Sequence, residues 1–126
     1  MRKGWLAIGV LAVAGLAAGK ALAAGDADEG KKVFTRVCAA CHTTEAEGPK
    51  RIGPSLHGIV GRKAGTVEGF RYSAANKNSG ITWTPETLDE YLKDPKAKVP
   101  GTIMAFAGLK KDDERQNVIA FLATQK

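Results

Sequence analysis

Five consecutive residues constrain this chain most: Cys38-Ala39-Ala40-Cys41-His42. These are its only two cysteines. A disulfide between them would close a tiny loop and restrain almost nothing, since the entropic gain from a cross-link shrinks with loop length. A thioredoxin-like redox pair wants a βαβ context, and no such pattern surrounds the motif. A structural zinc site wants four ligands, and beyond these three only His57 remains. No general base or further ligand cluster that would suit catalytic zinc stands nearby. The order Cys-x-x-Cys-His is instead the pattern of c-type haem attachment. Two thiols at this spacing reach the two vinyl groups on one porphyrin edge. The adjacent histidine then turns a ring nitrogen toward the iron.

Such haem attachment takes place outside the bacterial cytoplasm, so the N-terminus bears on the reading. Basic Met1-Arg2-Lys3 precedes an apolar run of about 16 residues, Gly4 to Gly19, and then Ala21-Leu22-Ala23. That is the layout of a secretory signal peptide, with cleavage expected after Ala23. The run is short for a membrane anchor, which needs roughly 20 apolar residues. Residues 1–23 are thus read as a removed leader and 24–126 as one domain. Without Arg2, Lys3 and Lys20, sixteen basic residues face thirteen acidic ones, a net charge of about +3. This mild excess does not suggest nucleic acid, which calls for a dense basic stripe. It suits an acidic protein partner or a membrane surface. The leader also takes 16 hydrophobic residues, leaving 39 in 103 positions. A bound apolar cofactor would help so thin a core.

Gly30, Val33, Phe34, Val37, Cys38 and Cys41 recur at steps of three and four, the stripe of a helix that ends near the cysteines. Asp26, Asp28 and Glu29 fall in its first turn, where the helix dipole favours negative charge. Residues 43–72 are rich in Gly and Pro and read as long loops that wrap a ligand. A short helix is expected over Ser73 to Asn78, stopped by Gly80. Thr84-Pro85 reads as a cap and first helical position, with Leu88, Tyr91 and Leu92 on the buried face. Asp94-Pro95 ends that helix and opens a turn to Val99. A last helix starts around Asp112 and buries Val118, Ile119, Phe121 and Leu122. The class is all-α with large loops.

The iron needs a sixth ligand. Outside the leader the single methionine is Met104, in Pro100-Gly101-Thr102-Ile103-Met104-Ala105-Phe106. A thioether favours Fe(II) and raises the potential. His57 is the competing ligand, but its loop reads better as holding a hydrogen-bonded or exposed histidine. With His42 and Met104 on the iron, no site is vacant for substrate, so the expected role is electron transfer and the protein is not an enzyme.

The whole segment from Gly25 to about Leu122 resembles class I cytochrome c, the mitochondrial-type branch that includes bacterial periplasmic cytochromes c2. The resemblance rests on Cys-Ala-Ala-Cys-His, Gly53-Pro54-Ser55-Leu56-His57-Gly58, Gly61-Arg62-Lys63, Ala75-Asn76-Lys77-Asn78, Ile81-Thr82-Trp83, Tyr91-Leu92, Asp94-Pro95-Lys96 and Pro100 to Gly108. It implies a single-domain fold of short helices and long loops around one covalent haem c. It implies that the Pro54 carbonyl accepts the other ring N–H of His42. By the same resemblance Arg62, Tyr72, Trp83 and Thr102 serve the buried haem propionates, and Asn76 and Tyr91 form a polar pair near Met104. Gly30 and Phe34 would cross the last helix against Val118 and Phe121, and Phe106 would lie near the exposed haem edge.

The implied function is electron transport in a periplasmic respiratory or photosynthetic chain. The donor would be a membrane cytochrome bc1 complex, or a periplasmic dehydrogenase. The acceptor would be a terminal oxidase or reaction centre. The protein is expected to be a monomer that docks transiently through a lysine-bearing haem-edge face. Val37, Ala97 and Ile103 occupy positions where lysines are common in mitochondrial members. Lys32, Lys96, Lys98, Lys110 and Lys111 remain to form a positive rim.

Overall fold

A computed structural model describes residues 25–126, so the leader expected over residues 1–23 lies outside the described part. Five helices follow in order: α1 Ala27–Val37, α2 Ala74–Lys77, α3 Pro85–Lys93, α4 Pro95–Lys98 and α5 Asp112–Ala123. The all-α expectation holds. The extended backbone pairing is one isolated antiparallel bridge, Lys63 with Thr82. Among the described residues no helix is long and apolar enough to cross a membrane.

Local chemistry sets the helix ends. The Asp26 carboxylate accepts the amides of Asp28 and Glu29 at 2.8 and 3.1 Å, which makes it the N-cap of α1 rather than part of its first turn. Cys38 is the C-cap of α1, so the helix ends where the haem motif begins. At α3, Thr84 and Thr87 satisfy each other's amides in a capping box, with Pro85 at the first helical position. Ser73 and Asn78 are the caps of α2, Ser73 through the Asn76 amide, so that helix is shorter by one residue at each end than the pattern suggests.

Helices α1 and α5 cross at Gly30. A Cβ there would stand 1.8 Å from the Asn117 carbonyl oxygen and 2.9 Å from Phe121 Cβ. Only glycine allows this approach, and the closest partner is Asn117 backbone rather than the expected Val118. Phe34 and Phe121 pack beside it with ring centroids 5.4 Å apart. Val118, Ile119, Leu122, Leu88, Trp83 and Tyr91 continue the core.

The 43–72 segment has no regular elements, yet its backbone groups find distant partners, as buried amides must. Gly53 N–H donates to Cys41 C=O at 2.8 Å and Leu56 N–H to Thr43 C=O at 2.8 Å. Further on, Ala64 N–H reaches Ile81 C=O and Trp83 N–H reaches Arg62 C=O, both at 2.8 Å. These ties curve the loop around one side of a cavity.

Candidate haem site

The cavity measures about 270 Å³. Its walls come from the end of α1 (Val37, Cys38), the motif (Cys41, His42), the loops through Ile52–Arg62 and Phe70–Asn76, α3 (Leu88, Tyr91, Leu92), segment Thr102–Phe106, and α5 (Val118, Leu122). Most of that lining is apolar.

His42 is held from behind. Its Nδ1 lies 2.7 Å from the Pro54 carbonyl, so Nδ1 carries the proton and Nε2 keeps its lone pair. Burial lowers its pKa, outweighing the carbonyl, which raises it; the ring is therefore kept neutral, the state a metal requires. Gly53 fixes the ring plane: a Cβ there would meet His42 Cε1 at 2.4 Å. The Cys38 thiol differs from a redox thiol. Burial, reinforced by Cys41, pushes the Cys38 pKa up to about 11, whereas attacking thiols need a lowered one. Among the described residues no three His, Cys, Asp or Glu side chains cluster as a metal site, which leaves the zinc reading without its ligands.

Met104 approaches on a segment without regular structure. The Tyr91 hydroxyl lies 3.8 Å from Met104 Sδ and 3.0 Å from Thr102 Oγ1. Thr102 Oγ1 also accepts Met104 N–H at 3.3 Å. Burial raises the Tyr91 pKa, opposed in part by the Thr102 bond, so the phenol stays protonated and can donate. The Thr102 hydroxyl thus joins Tyr91 and Met104 in one network on the cavity wall.

Polar groups gather elsewhere on the wall. Arg62 donates from Nη1 to His57 C=O and from Nη2 to Ser55 C=O, both at 2.9 Å. Burial lowers its pKa, while nearby Tyr72 raises it. Among the described residues no carboxylate pairs with it. The Tyr72 hydroxyl accepts Val67 N–H at 3.0 Å and keeps its own proton to give. Trp83 is buried and packs on Tyr91, ring centroids 4.8 Å apart. Asn76 Oδ1 is buried without a hydrogen-bond partner, an omission that calls for an occupant. An unneutralised guanidinium and a free phenol proton beside an apolar cavity fit a flat hydrophobic group bearing carboxylates. They fit haem.

The cavity brings together Cys38, Cys41, His42, Pro54, Arg62, Tyr72, Asn76, Trp83, Tyr91, Thr102 and Met104. His57 is not on its wall; its Nδ1 lies 3.1 Å from the Thr44 carbonyl. Phe106 lines the cavity half-buried. Sequence reasoning missed Gly53, although its place before Pro54 and after His42 was a usable signal. It also missed Ile52, 80 % exposed on the wall, whose exposure has no local signature; Ile103, at 69 %, lies on the wall as well.

Known proteins carry the same construction. The cytochrome c family model matches residues 27–126. A cytochrome c 2.1 of Caenorhabditis elegans is 54 % identical over 102 residues, covering 81 % of this chain and 91 % of that protein. A cytochrome c of Stellaria longipes is 57 % identical over 99 residues, 78 % and 91 % of the two chains. A cytochrome c-550 of Nitrobacter winogradskyi is 52 % identical over 99 residues, 79 % and 90 %. A cavity that pairs attachment thiols with a backed histidine, and a sequence alike from α1 to the C-terminus, lead to one conclusion: this chain belongs to the cytochrome c family, carries one covalent haem c and is an electron carrier.

Proposed function

We propose that this protein is an exported monohaem cytochrome that shuttles single electrons between periplasmic partners. Residues 1–23 act as the leader and 24–126 as the functional domain. Cys38 and Cys41 would form the thioethers, and His42 and Met104 would ligate the iron. The observation that carries this reading is the convergence of a neutral, carbonyl-backed imidazole and a tyrosine-contacted thioether on one cavity. The haem iron supplies the redox chemistry, alternating between Fe(II) and Fe(III) with one electron.

The chain's own residues do the rest. Apolar walls exclude water, which raises the potential by disfavouring the charged oxidised centre. Arg62, Tyr72 and Trp83 offset the propionates, since a buried carboxylate must be paired or hydrogen-bonded. Tyr91 and Thr102 hold the Met104 side of the site.

A cytochrome bc1-type donor and an oxidase or reaction-centre acceptor fit a carrier that docks weakly and releases quickly. The lysine rim is less free than its sequence suggests. Lys32 pairs with Glu29 at 2.7 Å, Lys98 with Glu90, and Lys110 Nζ donates to Lys93 C=O at 2.7 Å. Ile52 and Ile103 add apolar surface at the cavity. Docking therefore combines a modest positive rim with an apolar contact.

The visible spectrum of the purified holoprotein tests this. A weak long-wavelength sulfur-to-iron band in the ferric form, and no shift of the ferrous form with CO, is the expected result. No such band and ready CO binding would replace the carrier with an open-iron enzyme or gas sensor.

A further inference from the structure

Arg115 is the one charged side chain fully buried among the described residues, 3 % exposed, and it does not line the haem cavity. A guanidinium in that position is costly unless its donors are met. Nε donates to Asp89 Oδ1 at 2.8 Å, Nη2 to the Asp112 carboxylate, and Nη1 to the Leu109 carbonyl at 2.9 Å. Gln116 Nε2 shares Asp89 Oδ1 at 3.1 Å. Burial works against the cation, but the two carboxylates outweigh it and hold its pKa above the ordinary arginine value.

Leu109 is where the Met104 segment rejoins the core. That segment leaves buried Val99 and returns at buried Leu109 with no regular structure between them. Its return point is pinned to the end of α3. Leu109 N–H donates to Leu92 C=O at 2.7 Å, and Gly108 lies so close to Lys93 that a Cβ would meet its carbonyl oxygen at 2.2 Å. The remaining polar group of Leu109, its carbonyl, is the one Arg115 takes. One guanidinium therefore joins α5, α3 through Asp89, and the end of the segment that bears Met104.

We propose that Arg115 is the positioning residue for Met104: by fixing the Leu109 carbonyl against α3 and α5, it keeps the thioether on the iron. This rests on Met104 being the sixth ligand, as proposed above. A strap anchored five residues beyond its ligand has little slack. Releasing the anchor raises the fraction of molecules whose sixth position is open, and a competing ligand's apparent affinity rises with that fraction.

Imidazole added to the ferric holoprotein, followed by the sulfur-to-iron band, tests this. Arg115→Lys keeps the charge but cannot reach all three acceptors, and Arg115→Leu removes both. Val33→Ala is the control, a buried change in α1 away from the cavity wall. Apparent imidazole affinity should rise about tenfold in both Arg115 variants, the scale set by losing a charged hydrogen bond, and stay at the wild-type value in Val33→Ala. Should Arg115→Leu not fold, Asp89→Asn loosens the same guanidinium from the α3 side and is expected to move in the same direction. Wild-type affinity in the Arg115 variants, or an equal rise in Val33→Ala, overturns the proposal. A wild-type protein without the band overturns the ligand assignment itself and this proposal with it, an outcome read before any variant is made.

Discussion

At the scale of single residues, the site depends on side chains whose freedom has been removed by backbone. His42 is the clearest case. The Pro54 carbonyl accepts its Nδ1–H and Gly53 sets the ring plane, so Nε2 has one direction left. Gly53→Ala should therefore damage the site by displacing the His42 ring. Its Cβ would meet His42 Cε1 at 2.4 Å, and overpacking of this kind costs about 1–3 kcal/mol. We expect a lower unfolding midpoint for the holoprotein in urea, together with a shifted reduction potential; an unchanged potential would mean that the ring has room to move aside. The motif residues were legible because covalent attachment and ligation need fixed types at fixed spacing. Arg115 was not, because a lone arginine in an amphipathic helix reads as a solvated one until its three acceptors are brought together.

Among elements, the α1–α5 crossing is the contact on which the fold turns. Alanine in place of Gly30 would gain about 1 kcal/mol in helix propensity. Its Cβ, however, would stand 1.8 Å from a backbone carbonyl that cannot rotate away. The two helices must separate, and Phe34 with Phe121 loses part of its contact. Gly30→Ala should be destabilising by roughly 2–3 kcal/mol in chemical denaturation; a neutral or stabilising result would show that the helices adjust freely. Helices α1, α3 and α5 were readable from their three-and-four periodicity, and the cap at Thr84 from a side chain that bonds amides locally; Ser73 was read as helical rather than as a cap. The loops over residues 43–72 were readable only as loops. Their path depends on hydrogen bonds such as Gly58 N–H to Gln125 C=O at 2.6 Å, which join residues far apart in the chain.

For the whole molecule, the haem is part of the core. It supplies the apolar contacts for the walls of the roughly 270 Å³ cavity, and a domain this small has little other core to offset its chain entropy. A Cys38→Ala, Cys41→Ala chain made without haem should show no cooperative thermal transition by circular dichroism; a sharp transition would mean that the helices form a sufficient core alone. Docking also belongs to this scale. With a net charge of about +3 over residues 24–126 and several lysines engaged within the molecule, the KM for an oxidase partner should rise only modestly with ionic strength. Ile103→Lys should steepen that rise by restoring a charge near the cavity. A flat response in both proteins would remove electrostatic docking.

The chemistry was determined by the sequence alone: attachment thiols, an adjacent histidine, one methionine outside the leader, and an all-α class. These follow from residue types at short spacing, which the chain carries locally. Tertiary structure decided what lies between distant residues. It joined Thr102 to Tyr91 and Met104, left Asn76 Oδ1 without a partner, exposed Ile52, and buried Arg115 against the Leu109 carbonyl. Each of these depends on which groups face one another after the loops close, and no local pattern encodes that.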